Sequence, residues 1–84
     1  MNIKDTVNFF RSLGFNGGLN EKETSFIMEY YSDLSHIDVK GNIDGYVLVR
    51  LIDNRKIVDY LEINKFDEEY FDITKQTIKF WNNF

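Results

Sequence analysis

The sequence predicts a small single domain of the α+β class, in which an antiparallel sheet packs against an N-terminal and a C-terminal helix. Three patterns lead to this prediction: a hairpin of two strands between residues 45 and 63, and one amphipathic segment towards each end of the chain. The 84 residues suffice for one domain, residues 1–84, with one modest hydrophobic core. Aromatic residues make up 17% of the chain, and their large rings raise the apolar area that so short a domain can bury.

The hairpin at residues 45–63 is the centre of the predicted sheet. Its two halves are rich in β-branched, aromatic and aliphatic side chains, and the polar turn Asp53-Asn54-Arg55 lies between them. Asp and Asn tolerate the backbone geometry of tight turns. The competing interpretation is a helix over residues 55–63, whose apolar side chains also fit one helical face. The hairpin is favoured because strongly β-prone residues directly precede the polar turn.

The N-terminal segment, residues 3–13, has the pattern of an amphipathic helix. Asn2 is suited to cap its first turn, and Gly14 follows its last apolar position, where a left-handed residue commonly ends a helix. Phe15 is then expected to fold back on the last turn, and Gly17-Gly18 to form a flexible connection. The apolar side of the helical wheel comprises Ile3, Val7, Phe9, Phe10 and Leu13.

Residues 20–34 fit a helix and a strand almost equally well. Asn20 with Glu23 resembles a capping box, the signature of a helix start. The helical stripe would comprise Phe26, Ile27, Tyr30, Tyr31 and Leu34. A strand is suggested instead by the alternation of Phe26, Met28 and Tyr30. The helix is narrowly favoured, because a strand would leave a loop of about a dozen residues before the hairpin, which is long for a compact domain.

The segment from His36 to Asp44 is expected to add a short edge strand to the hairpin. Ile37 and Val39 alternate with polar residues, and Gly41-Asn42 suits a tight turn. The predicted sheet then has three strands.

The C-terminal helix has the clearest pattern in the chain. Asp67 is suited to cap it, Glu68 and Glu69 lie in its first turn, and Lys75 and Lys79 lie towards its end, as the helix dipole favours. Its apolar half comprises Phe66, Tyr70, Ile73, Thr77, Ile78, Phe80 and Trp81. Such a helix packs on a sheet or on another helix.

The residue content argues against catalysis and against a bound cofactor. The chain has no cysteine and one histidine, so we predict no disulfide, no thiolate metal site and no catalytic residue. His36 is expected in a turn or at the surface. Asp38, Asn42 and Asp44 faintly resemble a calcium loop, but Lys40 occupies a ligand position, and the glycine and closing glutamate are not at the required offsets.

The charge balance points to a protein partner. The formal net charge is -4 at pH 7, which repels phosphates, so we predict no direct binding to nucleic acid and a partner that is basic. The N-terminal residues lack the apolar run of a signal peptide, and no stretch approaches membrane-spanning length. A cytoplasmic protein without a membrane contact is therefore expected.

Acidic and aromatic residues alternate between residues 59 and 72, and this stretch is the first candidate partner-binding surface. Its acids are Asp59, Glu62, Asp67, Glu68, Glu69 and Asp72, and its aromatic residues are Tyr60, Phe66, Tyr70 and Phe71. Carboxylates would steer and pair with Lys or Arg of the partner, and Tyr60 and Tyr70 would serve as anchors. Tyr60 is favoured, because the position of Tyr70 on the helical wheel also suits the core. The alternative interpretation is a solvated rim combined with a helix N-terminus.

One face of the predicted hairpin is the second candidate surface. If Val47, Val49, Leu51, Leu61 and Ile63 face the helices, the residues that face away are Tyr46, Leu48, Arg50, Ile52, Val58 and Tyr60. That set is too apolar to face water in a monomer. Either residues 20–34 cover it, or a second copy of the chain does, or a partner protein does.

In size, acidity and lack of catalytic residues the chain resembles the small inhibitors made by phages and mobile elements, including anti-CRISPR proteins. The resemblance is one of general character and matches no residue to a motif. It implies a non-enzymatic inhibitor that occupies the nucleic-acid groove or a regulatory surface of a basic partner. The alternatives are a structural or oligomerising module whose apolar sheet face is a homodimer interface, and a small-ligand binder with an aromatic pocket between sheet and helices.

Overall fold

The computed structural model describes residues 2–33 and 35–82, and in these residues five antiparallel strands form one sheet in chain order. The elements are α1 (Ile3–Ser12), β1 (Asn16–Leu19), β2 (Ser25–Tyr31), β3 (His36–Asn42), β4 (Val47–Asp53), β5 (Lys56–Ile63), a 3₁₀ turn (Glu68–Tyr70) and α2 (Phe71–Asn82). A small α+β domain with a helix towards each end is therefore confirmed.

Helix α1 begins and ends where its capping residues predict. The Asn2 side chain accepts a hydrogen bond of 2.8 Å from the backbone N–H of Asp5. At the other end Gly14 adopts a φ of 98°, and the N–H of Phe15 donates to the carbonyl of Phe10 at 3.2 Å, as in a Schellman motif. The rings of Phe10 and Phe15 contact each other at 5.4 Å, which confirms that Phe15 folds back on the last turn.

The Gly17-Gly18 segment is an edge strand, not the flexible connection that we expected. These residues lie in β1, where Gly17 pairs with Met28. A Cβ atom at Gly17 would lie 2.4 Å from the carbonyl oxygen of Ile27, and the φ of Gly17 is 127°. The two backbones therefore approach more closely than any side chain would permit, and glycine marks that approach here.

The prediction of a helix over residues 20–34 is wrong, because Ser25–Tyr31 is strand β2. The Asn20 side chain does accept backbone hydrogen bonds, but from the N–H groups of Thr24 and Ser25, at 2.8 and 3.2 Å. It closes the turn between β1 and β2 and not a helix start. Leu34, which the helical stripe included, lies outside the described residues.

Strand β3 lies between β2 and the hairpin. The long loop that argued against a strand at β2 therefore does not exist. Strand β3 pairs with β2 on one side and β4 on the other, so the expected edge strand is a central one. The expected turn at Gly41-Asn42 is also wrong, since both residues belong to β3. The chain turns over the next residues, where Gly45 has a φ of 93° and its N–H donates to the Asn42 carbonyl at 3.1 Å.

The hairpin of β4 and β5 is confirmed, and the competing helix over residues 55–63 does not form. Asn54 and Arg55 have φ values of 51° and 66°, as the central pair of a two-residue hairpin turn requires. The pairing shifts between Leu51 and Ile52, which leaves Val58 as the additional residue of a β-bulge.

The C-terminal helix forms with a modified start and a narrower buried stripe. Asp67 accepts a hydrogen bond from the Glu69 N–H at 3.4 Å and begins the 3₁₀ turn, after which α2 continues. The buried residues of α2 are Thr74, Ile78 and Trp81. The assignment of Ile73 and Phe80 to the buried side is wrong, because their side chains are 52% and 59% exposed.

The core lies between the helices and one face of the sheet. Phe10 of α1 contacts Phe26 of β2 at 6.2 Å between ring centroids, and Phe9 stacks on Phe71 of α2 at 4.3 Å. Val39 and Val49 of the central strands are fully buried beneath these rings. Helices α1 and α2 thus pack on the same face of the sheet.

Candidate protein-interaction surface

The face of the sheet that points away from the helices is covered by no described residue, and we call it the outer face. Strand alternation places every second side chain of β2 to β5 on it. Three rows cross the strands in register: Ile27, Lys40, Leu48 and Glu62; Glu29, Asp38, Arg50 and Tyr60; and Tyr31, His36, Ile52 and Ile57. The outer face is therefore a polar middle row between two mixed rows.

The middle row is held together by an ion pair between neighbouring strands. Arg50 Nε donates to Asp38 Oδ1 at 2.8 Å, and Nη2 donates to the other carboxylate oxygen. The two side chains are 28% and 13% exposed. The hydrogen bond to Asp38 raises the pKa of Arg50, against the opposing effect of desolvation. Because each group satisfies the other, this pair stabilises the sheet and leaves Arg50 less free to bind a partner.

Tyr31 and His36 form an aromatic stack at one end of the outer face. Their rings lie 4.2 Å apart at an interplanar angle of 15°. The Tyr31 hydroxyl donates to Glu29 at 3.1 Å, which raises the pKa of Tyr31. His36 Nε2 lies 3.9 Å from the same carboxylate. The lone histidine thus sits in a half-exposed stack at the start of β3, close to where the sequence placed it.

A shallow groove of about 260 Å³ crosses the outer face beside β5, lined by Leu48, Arg50, Ile57, Tyr60 and Glu62. The hydroxyl of Tyr46 donates to Glu62 at 2.9 Å, and this bond raises the pKa of Tyr46. The second candidate surface of the sequence is therefore brought together: its Tyr46, Leu48, Arg50 and Tyr60 lie in or beside one groove. A further depression of about 290 Å³ adjoins the Tyr31–His36 stack.

The acidic stretch of the sequence is divided among three places. Asp59 points to the helix side, where its Oδ2 accepts a hydrogen bond of 3.0 Å from Trp81 Nε1. Glu62 lies on the outer face with Tyr60. Asp72, at the start of α2, is nine residues from Trp81, or about 13 Å along the helix axis at 1.5 Å per residue. The sequence-predicted surface is thus not a single patch.

Acids remain close together only around the start of the C-terminal helix. There Asp67 caps the 3₁₀ turn, and Glu68, Glu69 and Asp72 are exposed. Carboxylates at this position are stabilised by the helix dipole. Tyr70, the second aromatic residue considered as an anchor, is partly buried against the core.

Sequence reasoning missed the contribution of β2 to the outer face. Ile27 and Tyr31, which are 66% and 64% exposed, were placed on a helical stripe. The alternation of Phe26, Met28 and Tyr30 was the available signal, since it makes Ile27 and Tyr31 face the opposite way.

Comparisons with known proteins provide no relative from which to transfer a role. No family model matches the chain, and no curated protein or solved structure matches it. In the described residues neither helix has the length and apolar character that crossing a membrane requires. Residues 2–33 and 35–82 also contain no group of His, Cys, Asp and Glu arranged to hold a metal ion.

Proposed function

We propose that this protein is a non-enzymatic protein-binding module and that the outer face of its sheet is the docking surface. The supporting observation is that large apolar side chains remain exposed there, although the same strands bury most of their apolar side chains on the helix side. These side chains are Ile27, Tyr31, Ile57 and Tyr60, each 54–66% exposed. Clusters of exposed apolar side chains rimmed by polar ones commonly mark interaction sites.

The composition of the outer face suits a protein partner. Tyrosines lie at its two ends, the groove beside β5 offers a concave site, and Lys40, Glu29 and Glu62 supply a charged surround. Aromatic residues are enriched in protein interfaces relative to the rest of a protein surface, and the outer face combines them with polar groups. Tyr60 is the expected anchor, because it is 63% exposed and lines the groove.

The partner is proposed to be basic, and the consequence of binding to be inhibition. The net charge of -4 and the exposed carboxylates Glu68, Glu69 and Asp72 support this choice. These carboxylates lie at the start of α2 and not on the outer face, so they would attract a basic, nucleic-acid-handling partner towards the protein. Electrostatic steering of this kind acts mainly on the association rate.

Paired variants test the docking surface. Ile27→Lys with Tyr31→Lys adds two positive charges to the outer face at exposed positions, whereas Ile73→Lys with Gln76→Lys adds them to the exposed side of α2. Both proteins are used to capture partners from a host lysate, with circular dichroism as the check of folding. We expect the first variant to lose its partner and the second to retain it. Equal capture by both would refute the outer face as the docking surface.

The inhibitor role needs a separate variant. Reversal of Glu68, Glu69 and Asp72 to Lys is expected to slow association with the partner and to weaken its dependence on salt. An unchanged association rate and salt dependence would show that these acids are a solvated rim.

A homodimer is the second candidate, favoured by the same exposed apolar side chains. A second copy could cover Ile27 and Tyr31 through a two-fold interface. Sedimentation equilibrium decides between the two: a dimer that Ile27→Lys with Tyr31→Lys converts to a monomer would make the outer face a subunit interface.

A further inference from the structure

The two edges of the sheet differ in how well they are closed. Edge strand β1 is four residues long, and Arg11 of α1 donates to its Gly17 carbonyl at 3.0 Å. Edge strand β5 has eight residues, and in the described part of the chain its backbone pairs only with β4. Unpaired edges of this length are sites at which another extended chain can add.

One hydrogen bond reveals which backbone groups of β5 face the open edge. The N–H of Tyr60 donates to Asp59 Oδ1 at 2.8 Å and so bonds a side chain. Backbone groups of an antiparallel strand point alternately to the two sides. Tyr60 and Glu62 therefore direct their N–H and C=O groups away from β4. Among these groups, the N–H of Tyr60 alone has a side-chain partner in the part of the chain that the structure describes.

We propose that the edge of β5 from Tyr60 to Glu62 binds an extended, basic segment of the partner protein as an additional strand. This inference rests on the proposed function, since it specifies how the partner docks. Side chains of the added strand next to Tyr60 and Glu62 would reach the groove of about 260 Å³ on the outer face. Main-chain hydrogen bonds would supply affinity, and the groove would supply specificity.

The carboxylates of β5 favour a basic added strand over a second copy of the chain. Asp59 and Glu62 lie three positions apart on β5, so one carboxylate faces the helix side and the other faces the outer side. A segment with two lysines three positions apart places one beside each of them. A second copy brings the same two carboxylates and a net charge of -4.

Asp59 competes with the added strand for the N–H of Tyr60. Its Oδ2 accepts a hydrogen bond from Trp81 Nε1, and its Oδ1 accepts one from the Tyr60 N–H. A carbonyl of the added strand must replace Oδ1 as the acceptor of that N–H. Once the Tyr60 N–H donates to that carbonyl, Oδ1 can pair with a lysine of the added strand. The carboxylate therefore closes the edge in the free protein and contributes to recognition in the complex.

Synthetic peptides test the mode of binding. The probe is an acetylated and amidated octapeptide of valine and threonine with two lysines three positions apart. One control replaces both lysines with glutamates, and the other keeps them but N-methylates alternate residues, which removes the hydrogen bonds of one edge. Binding is followed by the amide signals of the full chain in an NMR titration.

We expect the lysine peptide to shift the amide signals of Tyr60 and Glu62 and to slow their hydrogen exchange. Loss of its hydrogen bonds or charges should weaken binding about tenfold or more. Equal binding of the N-methylated peptide, or no shift at Tyr60 and Glu62 with the lysine peptide, would overturn the proposal.

Variants of the full chain separate this inference from the proposed function. Glu62→Pro removes an edge N–H without removing a bond to β4, and Glu62→Gln removes only the charge. We expect Glu62→Pro to lose lysine-peptide binding and partner capture to a greater extent than Glu62→Gln. If Glu62→Pro captures the partner normally while Ile27→Lys with Tyr31→Lys does not, the outer face docks the partner and the edge does not. If Glu62→Pro does not fold, the N-methylated peptide on the unaltered protein still decides.

Discussion

The two faces of the sheet are made by the same strands and differ in what holds them. On the helix side, Ile37, Val39 and Val49 are fully buried beneath stacked rings. On the outer face, Arg50 and Asp38 satisfy each other, while Ile57 and Tyr60 remain exposed. Close packing of apolar side chains stabilises the helix side, and pairwise polar contacts stabilise the outer face.

The difference between the two faces identifies the residues that folding requires. Burial of an apolar side chain stabilises a protein only when its surface is removed from water. The exposed apolar residues of the outer face therefore contribute little to the free energy of folding. Matched substitutions on the two faces test this division.

Trp81 and Phe80 are adjacent aromatic residues on opposite sides of the division. Trp81 is 2% exposed and Phe80 is 59% exposed. We expect Trp81→Ala to lower the free energy of unfolding by about 3–5 kcal/mol. The same truncation at Phe80 should cost less than about 1 kcal/mol. Chemical denaturation of the two variants measures both values, and similar costs would contradict the assignment of faces.

The ion pair of Arg50 and Asp38 joins the two central strands on the outer face. Asp38→Ala leaves the guanidinium of Arg50 partly buried without its carboxylate, and we expect a loss of about 1.5–3 kcal/mol, as for hydrogen bonds to charged groups. Arg50→Ala and the double variant complete a double-mutant cycle. A coupling energy near zero would show that the pair is formed but contributes nothing to stability.

Thr74 is a polar residue in the otherwise apolar helix side. It is fully buried, and among the described residues its hydroxyl has no hydrogen-bond partner. Thr74→Val keeps the shape and removes the unsatisfied hydroxyl, so we expect stability to rise by about 1 kcal/mol. Thr74→Ser retains the hydroxyl and serves as the control. A lower thermal midpoint for the valine variant would indicate an acceptor for the hydroxyl.

Exposed apolar residues of the outer face should be replaceable at almost no cost to folding. Ile27→Thr and Ile57→Thr keep the β-branched shape that strands favour, and we expect each to change the free energy of unfolding by about 0.5 kcal/mol or less. Val49→Thr, on the buried side of β4, is the matched control and should cost considerably more. Equal costs on the two faces would mean that the outer face is covered within the molecule.

The smallest expected effect concerns tyrosine ionisation on the outer face. The hydrogen bond to Glu62 raises the pKa of Tyr46 above its ordinary value of 10.0. Because the raised pKa belongs to the folded state, the stabilising contribution is present below pH 10.0 and is lost as the pH rises through the raised value. Glu62→Ala, which removes the acceptor, should return the pKa towards 10.0 in a spectrophotometric titration. An unchanged titration would show that the bond does not form in solution.

Local signals in the sequence predicted the elements that depend on neighbouring residues. The sequence predicted the caps of α1 at Asn2 and Gly14 and the turn of the β4–β5 hairpin, because each depends on a few neighbouring residues. Segment 20–34 was misassigned because Asn20 bonds the backbone equally well at a helix start and in a tight turn. Only pairing with β3 and β1 decides between them.

Local patterns in the sequence predicted the α+β class, the hairpin at residues 45–63, a helix over residues 3–13, a C-terminal helix capped by Asp67, and the side of β4 that faces the helices. These follow from hydrophobic periodicity and capping, which act along the chain. Tertiary contacts place β3 at the centre of the sheet, direct Asp59 to Trp81 and Glu62 to the other face, and leave β5 paired with β4 alone within residues 2–33 and 35–82. These depend on contacts between residues distant in sequence, and the loss of conformational entropy that forming them costs is offset only when the whole sheet assembles.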